Sequence, residues 1–273
     1  MSDTIAILTG ASRGIGAAMA RGLAKPGTRL ITLARREDPE LAAYARSQDA
    51  QLEQLSVDLS DLAAAEAGAG PPPAPPPPAP PAPPFFFNTP TPQHPMSASL
   101  VGSEMCIRDS AGTVQPVFGT DALIDGPAIA AAFNLNVTAV MLLTARFLAA
   151  VADLKADRRV LNISSGAGRN PNAGWGVYCA TKAALDMYSR VVKQEQGEGG
   201  ARVVSLAPGI VDTDMQAAIR SSDPKSFPAL AKFQDFHASG KLSSPANVAS
   251  RILAYLDRDD FGTTEIDDIR NYD

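Results

Sequence analysis

The sequence predicts an α/β fold in which a doubly wound parallel sheet lies between two layers of helices. Apolar strand-like runs and amphipathic helix-like runs alternate along the first 70 residues and again after residue 110. Turn-forming pairs such as Pro26-Gly27 separate these runs. Because 273 residues with 45% hydrophobic and 19% charged residues suit one globular domain, we interpret residues 1–273 as a single three-layer domain.

The N-terminal part contains three strand–helix units in succession. The strand "TIAILTG" precedes the helical run "GIGAAMARGLAKPG", and the strand "TRLITLAR" precedes "PELAAYARSQ". A third strand, "AQLEQLSVDLSD", ends near Asp58 and is followed by "LAAAEAGAG". Strands that alternate with helices in this way form parallel sheets, so a fourth strand is expected next.

Beyond residue 110 the alternation resumes. The long helical stretch "DGPAIAAAFNLNVTAVMLLTARFLAAVADL" precedes the strand "RRVLNISS", and the amphipathic helix "WGVYCATKAALDMYSRVVKQEQ" precedes the buried strand "ARVVSLAPG". Residues 213–242 predict short helices joined by loops, and Ser244-Pro245 marks the start of another helix. The run "TTEIDDI" predicts a last strand.

Residues 71–110 do not fit the alternation. Eleven prolines occupy residues 71–84, where they remove hydrogen-bond donors and favour polyproline II. We expect this insert to be disordered and to disrupt the fourth strand. The stretch "MCIRDSAG" would then occupy the position of that strand. The stretch "LVGSEMCIRDS" resembles the in-frame translation of a transposase adapter used in sequencing libraries, which makes the insert an assembly artefact. The alternative is a natural proline-rich segment that binds SH3-like partners.

The composition limits the classes of partner. The chain has 24 Lys and Arg against 29 Asp and Glu, a net charge of −5 with no basic block, which argues against nucleic acid. No apolar run approaches the roughly 20 residues of a membrane span, and the N-terminus lacks the build of a signal peptide. Cys106, Cys179, His94 and His237 are isolated in sequence and lack metal-ligand spacing. We therefore expect a cytoplasmic protein with no bound metal.

A glycine-rich turn, "TGASRGIG", joins the first strand to the first helix. Glycine lets the backbone turn sharply and approach a pyrophosphate, and the helix N-terminus offers N–H groups to it. The spacing G-x-x-x-G-x-G at this place predicts a Rossmann-type dinucleotide site. A tight turn without a ligand is the alternative. The candidate cofactor-binding residues here are Gly10, Ser12, Arg13, Gly14, Ile15 and Gly16.

The end of the second strand indicates which dinucleotide is bound. An NAD site usually carries an acidic residue here, which holds the ribose 2′-hydroxyl. This chain instead has Arg35 and Arg36 after Ala34, and Arg13 lies in the glycine turn. Guanidinium groups suit a 2′-phosphate, so the pattern predicts NADP(H). Two solvated arginines at the end of a strand are the alternative.

Four polar residues predict the chemistry. Tyr178 and Lys182 are four apart on a helix, Ser165 precedes Tyr178 by 13 residues at a strand end, and Asn136 interrupts an apolar helix. A phenol has a pKa near 10, and a neighbouring ammonium favours its ionised form. Tyr178 is thus a candidate proton donor to a ketone that accepts hydride, with Ser165 holding the ketone oxygen. Asn136 is expected to position a water that relays protons to Lys182. Taken alone, Y-x-x-x-K also fits a helical surface pair.

Together these residues resemble the short-chain dehydrogenase/reductase family. The family motif TGxxxGxG matches Thr9–Gly16, and the Asn-Ser-Tyr-Lys tetrad matches the four residues above. The resemblance covers residues 4–62 and 111 to about 270. It implies that Asp58 meets the adenine, that Pro208 and Gly209 follow the sixth strand, and that Thr213 binds the nicotinamide amide. Of the family's Asn-Asn-Ala-Gly after the fourth strand, only "SAG" remains.

Within the family, "GWGVYCATKAALDM", "APGIVDTDMQ" and the closing "LDRDDFGTTEIDDIRNYD" resemble the branch that contains sepiapterin reductase and bacterial benzil reductase. The resemblance implies an NADPH-dependent carbonyl reductase, with Asp267 as a substrate anchor and residues 215–242 as a substrate-covering loop. It also implies a homodimer or homotetramer formed through the helices that carry Asn136 and Tyr178. A catalytically silent NADP-binding sensor or scaffold of the same fold is the alternative.

Overall fold

The fold is built around one parallel sheet. The computed structural model describes residues 4–61, 104–109 and 111–272. Within these ranges seven strands pair in the order β3-β2-β1-β4-β5-β6-β7, and every neighbouring pair is parallel. The strands are β1 (Thr4–Thr9), β2 (Thr28–Ala34), β3 (Gln51–Ser56), β4 (Glu104–Asp109), β5 (Asp157–Ile163), β6 (Arg202–Ala207) and β7 (Ile266–Asp268). This confirms the predicted doubly wound α/β fold.

Eight α-helices lie in the described ranges. They are α1 (Gly14–Leu23), α2 (Pro39–Ser47), α3 (Gly126–Phe133), α4 (Ala139–Val151), α5 (Gly176–Gln196), α6 (Asp214–Arg220), α7 (Leu230–Ala238) and α8 (Pro245–Leu256). Three of them start with a side-chain cap, in which Asp38, Asp125 or Ser244 accepts a hydrogen bond from a backbone N–H of the first turn. Each of these three also has proline in its first turn, where the missing donor costs nothing.

The fourth strand is central. Residues 104–109 pair with β1 on one side and β5 on the other, so the stretch "EMCIRD" takes the position expected for "MCIRDSAG". The Cys106 side chain of this strand is fully buried, and its thiol lies 3.5 Å from the Ile5 carbonyl oxygen. The rest of the insert, residues 71–103 and 110, lies outside the described residues, as do the third helix expected after Asp61 and His94. The single domain and the disordered insert remain predictions.

Two apolar clusters cover the two faces of the sheet. Alternate residues of a strand point to opposite faces, and β1 shows this directly. Ile5 packs with Leu143 and Phe147 of α4, whereas Leu8 packs on the other face with Ile252 of α8. Burying one such side chain stabilises the fold by about 1.5–3 kcal/mol. The two clusters hold β1, and therefore the turn that follows it, in a fixed position.

One continuous helix occupies most of the helical stretch predicted over residues 125–154. The segments α3 and α4 join through a π-helical turn, Asn134–Thr138, into a helix over residues 126–151 that by length and composition could cross a membrane. Its apolar residues Ala139, Leu143, Phe147 and Val151 recur every four positions and belong to the cluster on one face of the sheet. These four residues form the apolar stripe by which the helix covers the sheet.

Candidate active site

The glycine turn has the backbone that a close approach to a ligand requires. Gly10 and Gly14 have φ values of 64° and 57°, in the left-handed region that glycine tolerates. A Cβ placed on Gly14 would lie only 3.3 Å from Cγ2 of Thr213. The helical hydrogen bonds of α1 begin with the N–H of Ala17, which donates to the Arg13 carbonyl, so the earlier N–H groups lie outside the helical ladder. The turn thus fits the pyrophosphate of a dinucleotide.

Thr213 lies opposite this turn. Gly209, at φ 77°, turns the chain after β6, and Thr213 stands immediately before α6 with its hydroxyl donating to the Val211 carbonyl at 3.4 Å. The contact between Thr213 and Gly14 brings these two predicted cofactor-binding segments together. Arg13, which the sequence suggested for cofactor binding, forms an ion pair in this structure. Its guanidinium lies 3.3 Å from the Asp214 carboxylate.

The predicted nucleotide-selecting residues gather at the ends of β2 and β3. Arg35 and Arg36 are exposed, and the Ser56 hydroxyl donates to the Arg35 carbonyl at 3.1 Å. The Asp58 carboxylate accepts hydrogen bonds from the Ser60 hydroxyl at 2.7 Å and the Ser60 N–H at 2.9 Å. These bonds, and to a smaller extent the charge of Arg35, lower the pKa of Asp58. The ends of β2 and β3 therefore present two exposed guanidinium groups, and that of Arg35 interacts with the ionised carboxylate of Asp58.

Ser165 and Tyr178 meet where β5 ends and α5 begins. The Ser165 hydroxyl accepts a hydrogen bond from the Ala167 N–H at 3.1 Å, which fixes the short turn Gly166–Gly168 after the strand. The Ser165 side chain lies close enough to the Tyr178 hydroxyl to affect its pKa. Burial raises the pKa of Tyr178, and the interaction with Ser165 lowers it by a smaller amount. The phenol is therefore protonated at neutral pH, the state that a proton donor needs.

Lys182 lies one helical turn beyond Tyr178. Its ammonium is 5.9 Å from the centre of the Tyr178 ring and donates to the Ile163 carbonyl at 2.8 Å. The side chain is buried, with 5% exposed. Ile163 is the last residue of β5, so the lysine spans the gap between the strand end and the helix. The predicted helical pair thus faces inward, and the surface-pair alternative does not describe this structure.

Asn136 is fully buried in the π-helical turn. Its amide oxygen accepts from the Thr113 N–H and its amide nitrogen donates to the Thr113 carbonyl, both at 2.8 Å. The same nitrogen donates to the Thr181 hydroxyl at 3.1 Å. A Cβ placed on Gly112 would lie 3.3 Å from the Asn136 amide oxygen and 3.8 Å from the Lys182 nitrogen. Asn136 and Lys182 therefore flank the same short segment, and the water relay remains a prediction.

An aromatic cluster that the sequence did not single out packs beside Tyr178. It consists of Trp175, Phe227, Phe233 and Phe236. The Trp175 ring meets the Tyr178 ring edge-on at 5.5 Å between centroids and stacks on Phe227 at 4.9 Å. The three phenylalanines come from residues 215–242, the predicted substrate cover. Two features of the sequence could have indicated this cluster. They are the three phenylalanines within residues 215–242 and the position of Trp175 three residues before Tyr178.

Asp267 does not lie free to anchor a substrate. The side chain is only 4% exposed, and its carboxylate accepts hydrogen bonds from the hydroxyls of Tyr255 and Tyr272. The Asn271 amide and the Asp268 N–H complete its set of donors. This geometry argues against the substrate role that the family resemblance suggested. A buried carboxylate needs such donors, so its role here is to join β7 to α8 and the C-terminus.

The described residues do not form a cluster suited to a metal ion. Within residues 4–61, 104–109 and 111–272, no three His, Cys, Asp or Glu side chains are placed to hold one. Within the described residues neither Cys106 nor Cys179 forms a disulfide.

Comparisons with known proteins identify the family of this chain. A family model described as short chain dehydrogenase matches residues 4–70 and 107–224. Benzil reductase, (S)-benzoin forming, from Bacillus cereus is 33% identical over 262 residues, 95% of this chain and 96% of that protein. Sepiapterin reductase from Rattus norvegicus is 33% identical over 272 residues, 94% of this chain and 92% of that protein.

Solved structures share the fold at lower identity. A variant of actinorhodin polyketide ketoreductase with NADPH has a TM-score of 0.71 and 22% identity, over 97% of this chain and 94% of that one. A 3-oxoacyl-[acyl-carrier protein] reductase from Brucella melitensis in complex with NAD has a TM-score of 0.75 and 18% identity, over 98% and 96%. These structures support the fold and leave the choice of nucleotide open. The chain belongs to the short-chain dehydrogenase family of oxidoreductases, which use NAD or NADP.

Proposed function

We propose that this protein is an NADPH-dependent carbonyl reductase that reduces a ketone or diketone, with Tyr178 as the proton donor. The observation that carries the proposal is the position of Tyr178, whose pKa the neighbouring Ser165 lowers and whose ring centre lies 5.9 Å from the Lys182 ammonium. The relatives named benzil reductase and sepiapterin reductase support reduction of a carbonyl group.

The chain's own residues divide the work of such a reaction. A nicotinamide dinucleotide held at the glycine turn supplies the hydride. Ser165 donates a hydrogen bond to the carbonyl oxygen and holds it beside the phenol of Tyr178. Tyr178 gives its proton to that oxygen as negative charge develops there. The Lys182 ammonium stabilises the phenolate that remains.

The aromatic cluster favours a substrate with a flat apolar group. Trp175 contacts the ring of Tyr178, so a substituent beside the reacting carbonyl lies near aromatic surface. We expect diaryl diketones such as benzil to be reduced with a kcat/KM about tenfold or more above that of short aliphatic aldehydes, since a few extra buried CH₂-sized groups account for that ratio. NADPH absorbance with benzil-like diketones, pterins and aliphatic aldehydes measures this. If no carbonyl compound oxidised NADPH, the proposed function would be wrong.

The arginines after β2 give the proposed preference for NADPH. Replacing both Arg35 and Arg36 by serine is expected to raise KM for NADPH by about tenfold or more, because each charged hydrogen bond contributes about 1.5–3 kcal/mol. KM for NADH should change little. Arg46→Ser, which removes an exposed arginine from α2, is the matched control. Equal losses with both nucleotides would show that the arginines do not select the 2′-phosphate.

The proposed enzyme assembles through its helices. On α5, Met187 and Val191 are 55% and 42% exposed, and Met141 of α4 is 37% exposed. Tyr188 joins the two helices by donating to the Met141 carbonyl at 3.3 Å. This apolar surface supports the homodimer or homotetramer that the family resemblance suggests. Two cysteines that form no disulfide within the described residues support a reducing, cytoplasmic location.

A further inference from the structure

Three consecutive residues at the end of β5 each form a hydrogen bond with α5, and the next residue, Ser165, lies near Tyr178. The bonds join Asn162 to Ser189 at 3.0 Å, Ile163 to Lys182 at 2.8 Å, and Ser164 to Asp186 at 2.6 Å. One of them involves the candidate catalytic Lys182, and another is formed by Asp186, one helical turn beyond Lys182. Asp186 has no assigned part in the proposed reaction.

Asp186 connects three elements at this point. Its side chain is only 6% exposed, and one carboxylate oxygen accepts from the hydroxyls of Ser164 at 2.6 Å and Ser205 at 2.7 Å. The other oxygen lies 3.4 Å from the guanidinium of Arg169, which also donates to the Asp267 carbonyl at 3.2 Å. A buried carboxylate is costly unless donors surround it. Here its two hydrogen-bond donors come from the end of β5 and from β6, and the charge of Arg169, in the loop after Ser165, lies beside the second oxygen, which accepts no hydrogen bond within the described residues.

We propose that Asp186 is a positioning residue, whose carboxylate holds the end of β5 against α5 so that Ser165 meets Tyr178. This inference rests on the proposed function. Asp186 acts on Ser165 through Ser164, its immediate neighbour in the chain. Misplacement of a catalytic group by about 1 Å can reduce the rate by about 10²-fold, so a link of this kind affects catalysis without touching the substrate.

The test compares Asp186→Ala with Ser189→Ala. The control removes a buried hydrogen bond between the same strand and the same helix, but at the contact with Asn162. For Asp186→Ala we expect kcat for the best ketone of the substrate screen to fall about tenfold or more, with KM for NADPH within about twofold.

In the reverse oxidation of the alcohol, Tyr178 must be ionised. Because the interaction with Ser165 lowers the pKa of Tyr178, losing it should move the rising limb of the pH profile to higher pH. Ser189→Ala should leave both kcat and the pH profile of alcohol oxidation unchanged.

Two further variants keep the inference testable if Asp186→Ala does not fold. Asp186→Asn keeps an oxygen that both serine hydroxyls can reach, so it should recover most of kcat. Ser164→Ala removes only one hydroxyl and should lower kcat and shift the pH limb in the same direction as Asp186→Ala. Unchanged kcat and pH profile in Ser164→Ala, or identical effects in Asp186→Ala and Ser189→Ala, would overturn the inference. Failure of the proposed function looks different, because the unsubstituted protein would then show no turnover.

Discussion

Replacing Tyr178 by phenylalanine is expected to abolish carbonyl reduction and leave NADPH binding intact. The substitution removes one oxygen atom and keeps the ring, so the edge contact with Trp175 is preserved. Without the hydroxyl the carbonyl oxygen receives no proton, and general acid catalysis of this kind contributes about 10²–10⁴-fold. NADPH oxidation with the best ketone measures turnover, and the change in NADPH fluorescence on binding measures affinity.

Tyr188→Phe is the matched control for this prediction. Tyr188 lies on the same helix, is partly buried, and its hydroxyl donates to the Met141 carbonyl at 3.3 Å. The control therefore loses a comparable hydroxyl contact, and its kcat should stay within about twofold of the unsubstituted protein. Turnover that survived in Tyr178→Phe, or that was lost equally in Tyr188→Phe, would contradict the assigned role.

The second large effect is expected at Lys182. Lys182→Met keeps the length of the side chain but removes the ammonium near the Tyr178 ring and its hydrogen bond to the Ile163 carbonyl. The phenolate then loses its neighbouring positive charge, and burial already raises the pKa of Tyr178. We expect alcohol oxidation at neutral pH to fall about 10²-fold, which corresponds to about 2.7 kcal/mol.

The pH profile distinguishes the electrostatic role of Lys182 from a structural one. Oxidation needs the ionised phenol, so its rate rises with pH, and the rising limb should move to higher pH in Lys182→Met. Lys182→Arg retains a positive charge and should shift the limb less. Lys193→Met is the control, since Lys193 also lies on α5 and donates to a backbone carbonyl, that of Thr263 at 2.7 Å. If the rising limb of the pH profile lay at the same pH in Lys182→Met and in the unsubstituted protein, an electrostatic role for Lys182 would be ruled out.

Local spacing explains why much of the site was predictable. Tyr178 and Lys182 share a face because they are four residues apart on a helix, and Ser165 reaches them because β5 ends at Ile163. The glycine turn was predicted because strand, turn and helix are adjacent in sequence. The interruption expected at Asn136 corresponds to the π-helical turn between α3 and α4.

Contacts between distant segments explain what the sequence did not predict. The aromatic cluster brings Trp175 together with residues more than 50 positions later, and Arg13 pairs with Asp214 across 201 positions. Asp186 depends on Ser205 of β6, which only the strand order brings close. The prediction that Asp267 anchors a substrate came from family resemblance. Its burial between Tyr255 and Tyr272 follows instead from the packing of α8 against the C-terminus.

A crystal structure of this protein with NADPH and a ketone analogue that accepts no hydride would test the proposed reaction most directly. We expect the hydroxyl oxygens of Ser165 and Tyr178 both to lie roughly 2.6–3.2 Å from the ketone oxygen. The Lys182 ammonium should remain beside the phenol. A ketone oxygen bound away from both hydroxyls, with the nucleotide in place at the glycine turn, would contradict the proposed reaction.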